Sequence, residues 1–393
     1  MSGLRLALIS RRYWPLLGGA EVNMSRLAFA LRQTGATPHI LTAQWESSWP
    51  THFSYQDVPI TRLPMPMQRW WGTIRYMVGI TRWLKEHRRS VDAVYVSMLK
   101  HDAYAALGMQ PAAPWPVVLR AEGAGESGDC HWQQVARFGQ RIRRRCQQAD
   151  AIIAPSRRIY DELLAADYPA ERLHHIPNGV TLYEPRTAER RLAARVILSD
   201  SHPDMVTSEF TPIVVYTGRL HRAKGLFDLL HAWPIVLQQF PAAQLWLIGE
   251  GPDREDLFET ILDLDLRRSV IMPGAFDDVQ DVLQAADVFV LPSTEEGLSL
   301  ALLEAMSASV PIVASDIPGN RELIVSGNHG TLVPVGNEPA WAAAICQTLA
   351  QPHLVQPLVA AAYQRVAEQF TLSHVVQKHL ELFQELKARK RST

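Results

Sequence analysis

Short apolar runs recur along the chain, and between them lie longer stretches whose apolar residues return every three or four positions. The first pattern is that of strands buried on both faces, and the second is that of amphipathic helices packed on a sheet. In the first half the runs at 4–10, 38–43, 58–63, 93–97, 116–121 and 151–155 predict strands, with helices at 21–33, 69–87 and 131–147. A polar stretch, 183–211, mixes charges with Ser, Asp and Pro and reads as a linker carrying a helical segment at 188–198. A second alternating series follows, with strands at 212–217, 244–248, 270–272, 287–291 and 312–315 and no internal repeat. Such alternation predicts an α/β protein of two doubly wound, Rossmann-like domains facing across a cleft. The expected boundaries are 1–185 for the first domain, 186–211 for the linker and 212–370 for the second domain.

Composition narrows the class. A chain of 393 residues, 47% hydrophobic, is too long for one core and suits two of ordinary size. Cys130, Cys146 and Cys346 fit no disulfide or metal spacing, which points to a reducing compartment and hence the cytoplasm. The apolar run 4–9 is too short for the core of an export signal and is followed by Arg11 and Arg12, so it reads as a first strand. No apolar stretch approaches the roughly 20 residues of a membrane span. The net charge of −1 conceals an asymmetry: residues 1–190 hold 24 Lys and Arg against 16 Asp and Glu, giving +8, whereas residues 191–393 hold 15 against 24, giving −9. The two halves are expected to do different work.

The candidate chemistry lies after predicted strands, where open α/β sheets bind ligands. Glu304 stands inside an apolar run that a helix over 298–309 would bury, and Glu296 stands eight positions earlier in the preceding turn. A buried carboxylate is costly without a partner. Two of them about 10 Å apart along one face suit a long ligand rich in hydroxyls, each carboxylate accepting from a different ring. The loop Thr217-Gly-Arg-Leu-His-Arg-Ala-Lys-Gly225 carries Arg219 and Lys224, a forked guanidinium and a point ammonium that could together neutralise a diphosphate. Gly18-Gly19 opens a helix after the first strand, and Gly249 and Gly251 end a strand in the second half, places where backbone can approach a ligand closely. A nucleotide-sugar fits this set.

Gly18-Gly-Ala-Glu21, Gly218-Arg-Leu with Lys224-Gly225, Gly249-Glu-Gly-Pro252, Ala285-Ala-Asp287 with Pro292-Ser293, Glu296 with Glu304, and Ile317-Pro-Gly319 with Glu322 together resemble the family 4 retaining glycosyltransferases of the GT-B fold. The likeness runs over nearly the whole chain. It implies that Arg219 and Lys224 hold the donor diphosphate and stabilise the leaving nucleoside diphosphate, that Glu296 binds donor-sugar hydroxyls, and that Glu304 binds the ribose. The amides around Leu298, Ser299 and Leu300 would contact sugar and phosphate, Gly18, Gly19 and Gly249 would approach the donor, and the strand end at Met272 would read the base through backbone groups. Uridine diphosphate is the first expectation for the donor and guanosine diphosphate the second, with no cofactor and no metal. The last helices, within 371–393, would cross back to the first domain, which would face the acceptor, a cell-surface or envelope glycan or its lipid-linked precursor.

The departures from the family fall in the first half. Where many relatives carry histidine after the fourth and fifth strands, this chain has Ser97 and Glu122, and Thr181 replaces a common aspartate. In the front-face mechanism that the resemblance implies, the leaving phosphate can take the acceptor proton, so Ser97, Arg120 and Glu122 become acceptor-side candidates, with an ordinary Arg-Glu ion pair as the competing reading. A GT-B epimerase or phosphorylase, or an inactive nucleotide-sugar-binding partner in a biosynthetic complex, are the alternative functions. Gly123-Ala-Gly-Glu-Ser-Gly128 matches a dinucleotide pattern but follows the fifth strand, so a loop near acceptor or phosphate is preferred. Asp263 and Asp265 read as a solvated helix face, and His101 and His221 as loop-edge residues that could touch substrate. Arg75, Arg82 and Arg89, with Trp70, Trp71 and Trp83 nearby, and Arg137, Arg141, Arg144 and Arg145 form two basic stripes. They suggest peripheral attachment of the first domain to an anionic inner leaflet; no recognisable nucleic-acid module accompanies them.

Overall fold

The computed structural model describes residues 3–16, 18–66, 71–109, 113–205 and 207–392. The chain divides into two compact units, Met1–Gly179 with Leu372–Thr393, and Val180–Thr371. The first unit runs β1 (Arg5–Ile9), α1 (Gly19–Gln33), β2 (Thr37–Gln44), β3 (His52–Tyr55), β4 (Val58–Pro64), α2 (Trp71–Glu86), β5 (Ala93–Ser97), α3 (His101–Ala106), β6 (Val117–Arg120), α4 (Asp129–Val135), α5 (Gly139–Cys146), β7 (Ala151–Ala154), α6 (Arg157–Ala165) and β8 (Leu173–His175). Its sheet has the order β3-β4-β2-β1-β5-β6-β7-β8, parallel except for β3 against β4. Both faces are covered. Leu6 and Leu8 of β1 point into one apolar cluster with α1, and Ala7 and Ile9 point into another with α2, as the two-residue period of a strand requires.

The second unit runs α7 (Ala188–Ser201), β9 (Ile213–Thr217), α8 (Leu226–Gln239), β10 (Gln244–Ile248), α9 (Arg254–Asp263), β11 (Val270–Gly274), α10 (Gln280–Ala285), β12 (Val288–Leu291), α11 (Leu300–Ser307), β13 (Ile312–Ser315), α12 (Pro318–Arg321), β14 (Thr331–Val333), α13 (Glu338–Ala350) and α14 (Pro352–Gln369). Its parallel sheet has the order β11-β10-β9-β12-β13-β14, so β9 and β12, which carry the two loops richest in candidate residues, are neighbours. The final helix, α15 (Leu372–Ser392), belongs to the first unit, where Val375, Val376, Leu382, Phe383 and Leu386 fill the α1 side of the core. Lys387 reaches Asp92 at 2.9 Å, and Asp92 also binds Arg5 at 3.0 Å.

Four expectations need correction. The stretch 186–211 is part of the second unit, and the division falls at Gly179 and Val180. Its polarity misled because Arg186, Arg191 and Arg195 converge on one carboxylate, Asp287, at 3.1, 2.8 and 2.8 Å, while Ala194, Leu198 and Met205 enter the core. The helix expected over 131–147 is two helices. Ala136 turns extended, and Gly139 sits where a Cβ would be 2.1 Å from the carbonyl oxygen of Gln133. The helix expected over 298–309 spans only Leu300–Ser307. Strands β3, β8 and β14 were not foreseen; each is three or four residues long, and β3 alternates between exposed and half-buried. The start of the helix expected from residue 69, including Trp70, lies outside the described residues.

Asp287 also accepts from the backbone amide of Ile213 at 2.9 Å, so it ties α7, β9 and the start of β12 together. Arg195 is 3% exposed, and removing its carboxylate leaves a buried cation uncompensated. We predict that Asp287→Ala destabilises the second unit by about 3–5 kcal/mol, seen as an earlier urea transition; a loss below about 1 kcal/mol would mean that the arginines find solvent instead.

Candidate functional site

At the carboxyl edge of the second sheet, two strand-end loops are pressed together. After β9 the chain passes Gly218 and Arg219 and makes a 3-10 turn, Arg222–Lys224, closed by Gly225 at φ 64°. Only glycine fits there. A Cβ would stand 2.0 Å from the carbonyl oxygen of Pro292, in the loop after β12, besides adopting a left-handed backbone that side chains disfavour. Thr294 then donates its amide and its hydroxyl to the carbonyl of Ala223 at 2.9 and 3.1 Å. This clamp brings Lys224 Nζ within 2.6 Å of Glu296 Oε1, which also accepts from Ser293 Oγ at 2.7 Å. The Glu296 side chain is 11% exposed and the Lys224 side chain 25%. Gly319, in α12, completes the support, because a Cβ on it would approach the Glu296 carbonyl oxygen to 2.4 Å.

Arg219 shares the loop with Lys224 but differs in state. Its carbonyl accepts from the buried Tyr216 hydroxyl at 2.9 Å, which fixes the backbone, while the exposed guanidinium has no carboxylate partner among the described residues. Burial first, then the Glu296 charge, pushes the Tyr216 phenol well above its ordinary pKa, so it remains a donor. Gly249 ends β10 at φ 145°, and a Cβ there would be 1.9 Å from the Gly218 carbonyl oxygen. Its amide donates to Gly274 at 2.8 Å, so the ends of β9, β10 and β11 are laced backbone to backbone. Met272 is half-buried and its carbonyl accepts from Arg254 Nη2 at 3.0 Å, so one backbone acceptor at this strand end is already engaged.

Leu298 is buried, Ser299 caps α11 by accepting from the Leu302 amide at 3.3 Å, and Leu300 opens the helix. Glu304 is buried one turn in, 8% exposed. Ser307, near the end of α11, donates to the Thr181 carbonyl at 2.6 Å and accepts from the Tyr183 amide at 3.0 Å. His221 is a cap, its Nδ1 accepting from the Ala223 amide at 3.1 Å. Asp263 ends α9 and Asp265 follows in a left-handed turn; both are exposed, and no group of metal-ligating side chains exists among the described residues.

The first unit brings Ser97, Arg120 and Glu122 together at the ends of β5 and β6, where Ser97 and Arg120 are register partners. Ser97 Oγ donates to Glu122 Oε1 at 2.8 Å, and the same oxygen lies 3.2 Å from Arg120 Nε in an ion pair. Arg120, 1% exposed, donates through Nη2 to Asn178 Oδ1. Asp129 accepts the amides of Leu99 and Glu122 at 3.1 and 2.9 Å, so a second, buried carboxylate sets the backbone of both strand ends. Neither Asp129 nor Asn178 stood out in the sequence, whose only hint was their nearness to strand ends. Burial pushes the Glu122 carboxyl up to about 7, with Arg120 and Ser97 opposing. Gly18 and Gly19 open α1, and a Cβ on Gly19 would meet nothing within 4 Å. The Gly123–Gly128 loop closes on itself. Gly125 is left-handed at φ 60° and its amide is held by the Glu162 carboxylate at 3.0 and 3.2 Å, so that amide is not free for a ligand.

Two family models match: "Glycosyltransferase Family 4" over residues 17–184 and "Glycosyl transferases group 1" over residues 211–351. Alpha-maltose-1-phosphate synthase of Mycolicibacterium smegmatis is 26% identical over 98% of this chain and 100% of its own length. Among solved structures, sucrose-phosphate synthase from Thermosynechococcus elongatus superposes with a TM-score of 0.80 at 21% identity, covering 98% of this chain and 100% of that one. Anabaena HepE, determined in complex with UDP-glucose, gives a TM-score of 0.78 at 18% identity, with 98% and 100% covered. At those identities the structural likeness is one of fold.

The Glu122 carboxyl fixes a pH dependence. An unfolded chain releases this proton near 4.5, the folded protein near 7, so the contribution of the group to stability is fully present below 4.5 and is lost as pH rises toward 7. Urea unfolding at pH 5 and pH 7 should therefore show Glu122→Gln losing less stability over that interval than the wild type; equal losses would place the Glu122 pKa at an ordinary carboxyl value.

Proposed function

The chain belongs to the family 4, group 1 glycosyltransferases and has their GT-B fold, and from that premise we propose that it moves a sugar from a nucleotide-sugar to an acceptor hydroxyl with retention at the anomeric carbon. The observation that carries this reading is the clamp holding Lys224 against Glu296 beside Arg219. A donor diphosphate draws the Lys224 ammonium from Glu296 and adds the Arg219 guanidinium, which has no carboxylate to leave. Glu296, still held by Ser293, then has lone pairs for sugar hydroxyls. The bond between the anomeric carbon and the phosphate oxygen breaks, and its electron pair stays on the nucleoside diphosphate, where the two cations stabilise it. The acceptor oxygen bonds to the anomeric carbon from the same face, and its proton passes to the departing phosphate oxygen. Burial of Glu304 one turn into α11 supports a ribose-binding role, and the UDP-glucose complex of HepE supports a uridine nucleotide.

The Ser97–Glu122–Arg120 group supports acceptor binding by the first unit. A membrane-proximal acceptor, in cell-surface or envelope glycan synthesis, is supported by the outer face of α2, where Trp71, Ile74, Arg75, Val78, Arg82 and Lys85 are all exposed. This face borders an apolar groove of about 450 Å³ that α2 shares with Tyr104, Ala105 and Arg145. Trp83 is not part of it, being buried between His39 and His87. Among the described residues no helix is long and apolar enough to cross a membrane.

Lys224→Ala is expected to lower the turnover of donor about 100-fold or more, as loss of one preorganised donor to developing charge does, in an assay of nucleoside diphosphate release with a panel of UDP- and GDP-sugars. The anomeric coupling constant of the isolated product tests retention, and an inverted product would remove the mechanism above. Flotation with anionic vesicles at low salt should carry the wild type and not Arg75→Glu/Lys85→Glu; a wild type that stays in the load fraction would sink the membrane reading.

A further inference from the structure

After β1 and β5 the first unit holds three cations with no carboxylate at ion-pair distance among the described residues. Several of its arginines are matched: Arg5 with Asp92, Arg82 with Glu86, Arg143 with Asp167, Arg157 with Asp161 and Arg158 with Glu162. Arg11, Arg12 and Lys100 have no such partner among the described residues. Arg11 and Arg12 follow β1 and place their guanidinium carbons 5.8 and 5.6 Å from the centroid of one indole, Trp45. Two like charges on a single ring repel each other, and the ring quadrupole returns only part of that cost.

The position of Arg11 is fixed by hydrogen bonds on both its backbone and its side chain. The Arg11 carbonyl accepts from Trp45 Nε1 at 3.0 Å, from the Ala43 amide at 3.2 Å and from Thr42 Oγ1 at 3.3 Å. Arg11 Nη2 donates to Thr73 Oγ1 at 2.7 Å, whereas its buried Nε has no hydrogen-bond partner. Lys100 follows β5, the neighbour of β1, and its ammonium lies 5.5 Å from the Trp132 centroid, with His101 edge-on to the same ring at 5.2 Å. Arg11 and Lys100 act on the same neighbours. With burial leading, both charges push His101 down to about 4, which leaves it neutral, and both oppose the burial that raises the Asp102 carboxyl to about 6. Asp102, 3% exposed, holds the Tyr76 hydroxyl at 3.4 Å, and Asp129 accepts the two backbone amides named above while the Lys100 charge opposes its burial, so both buried carboxylates feel these cations without an ion-pair contact.

We propose that Arg11, Arg12 and Lys100 form an anion subsite that receives a phosphate or carboxylate borne by the acceptor sugar. The inference rests on the reading of the first unit as the acceptor side. It adds the acceptor's chemical class: β5 ends at Ser97, bonded to Glu122, and Lys100 follows three residues further on, so an acceptor presenting a hydroxyl to the Ser97–Glu122 pair has its anionic substituent met at the same sheet edge. Two guanidiniums suit a planar carboxylate or a phosphate fork, and the ammonium adds a point charge.

The test is titration calorimetry with glucose 1-phosphate, glucuronate and glucose, on Lys224→Ala protein so that the donor site does not bind the anion, and again on wild type saturated with UDP. Saturable binding of the phosphate or the carboxylate sugar, absent for glucose, is expected, and whichever binds identifies the group. Each of Arg12→Gln and Lys100→Gln should weaken it about tenfold, the worth of one hydrogen bond to a charged group. Equal binding of glucose, no binding of either anion, or binding unchanged in both variants would overturn the proposal. Because nothing is transferred in this experiment, its failure is separate from failure of the transferase assay, which reads the second unit.

Discussion

The contact on which the second unit's chemistry depends is the passage of Gly225 beneath Pro292. Parallel strands deliver their loops to one edge, but loops at an edge are free to splay apart, and long polar side chains on splayed loops do not meet. Here neighbouring strands β9 and β12 send out loops that touch backbone to backbone, with a left-handed residue on one side and a carbonyl on the other. Any side chain at 225 would hold the loops apart, and Lys224 would lose Glu296. Gly249 against Gly218 and Gly319 against Glu296 repeat the device. The site is therefore shaped first by missing side chains and only then by the charged ones.

In the first unit the edge is organised by charge instead. Arg120, almost without solvent, joins Glu122 to Asn178, and Asp129 holds the amides that follow β5 and β6. Where the family resemblance leads one to expect histidine, Ser97 and Glu122 supply instead a carboxyl lifted by burial toward neutrality.

The alternation of strands and helices, the two-unit plan and the placing of Arg219, Lys224 and Glu296 on loops at one sheet edge were legible because each rests on local pattern: period, loop length and charge next to glycine. What was not legible depends on contacts distant in sequence. Three arginines in a polar stretch look like a linker until Asp287, some ninety residues on, is placed among them. The break at Ala136–Gly139 follows from a glycine seated on a carbonyl, which no periodicity records. Ser293, read only as part of a motif, and Asn178 received no role for the same reason, since each matters only through the side chain it reaches.

The Lys224–Glu296 pair also sets a rule of selection for whatever enters. The ammonium is already neutralised, so an isolated phosphate adds Lys224 to what Arg219 offers only by stranding a carboxylate that is 11% exposed, and an isolated sugar finds that carboxylate occupied. Each half of a ligand bears the cost of parting the pair, and a ligand containing both halves bears it once. Fragments are thus handicapped relative to the whole, and on the proposed reading an intact nucleotide-sugar is favoured over either of its parts by a margin that neither residue supplies alone.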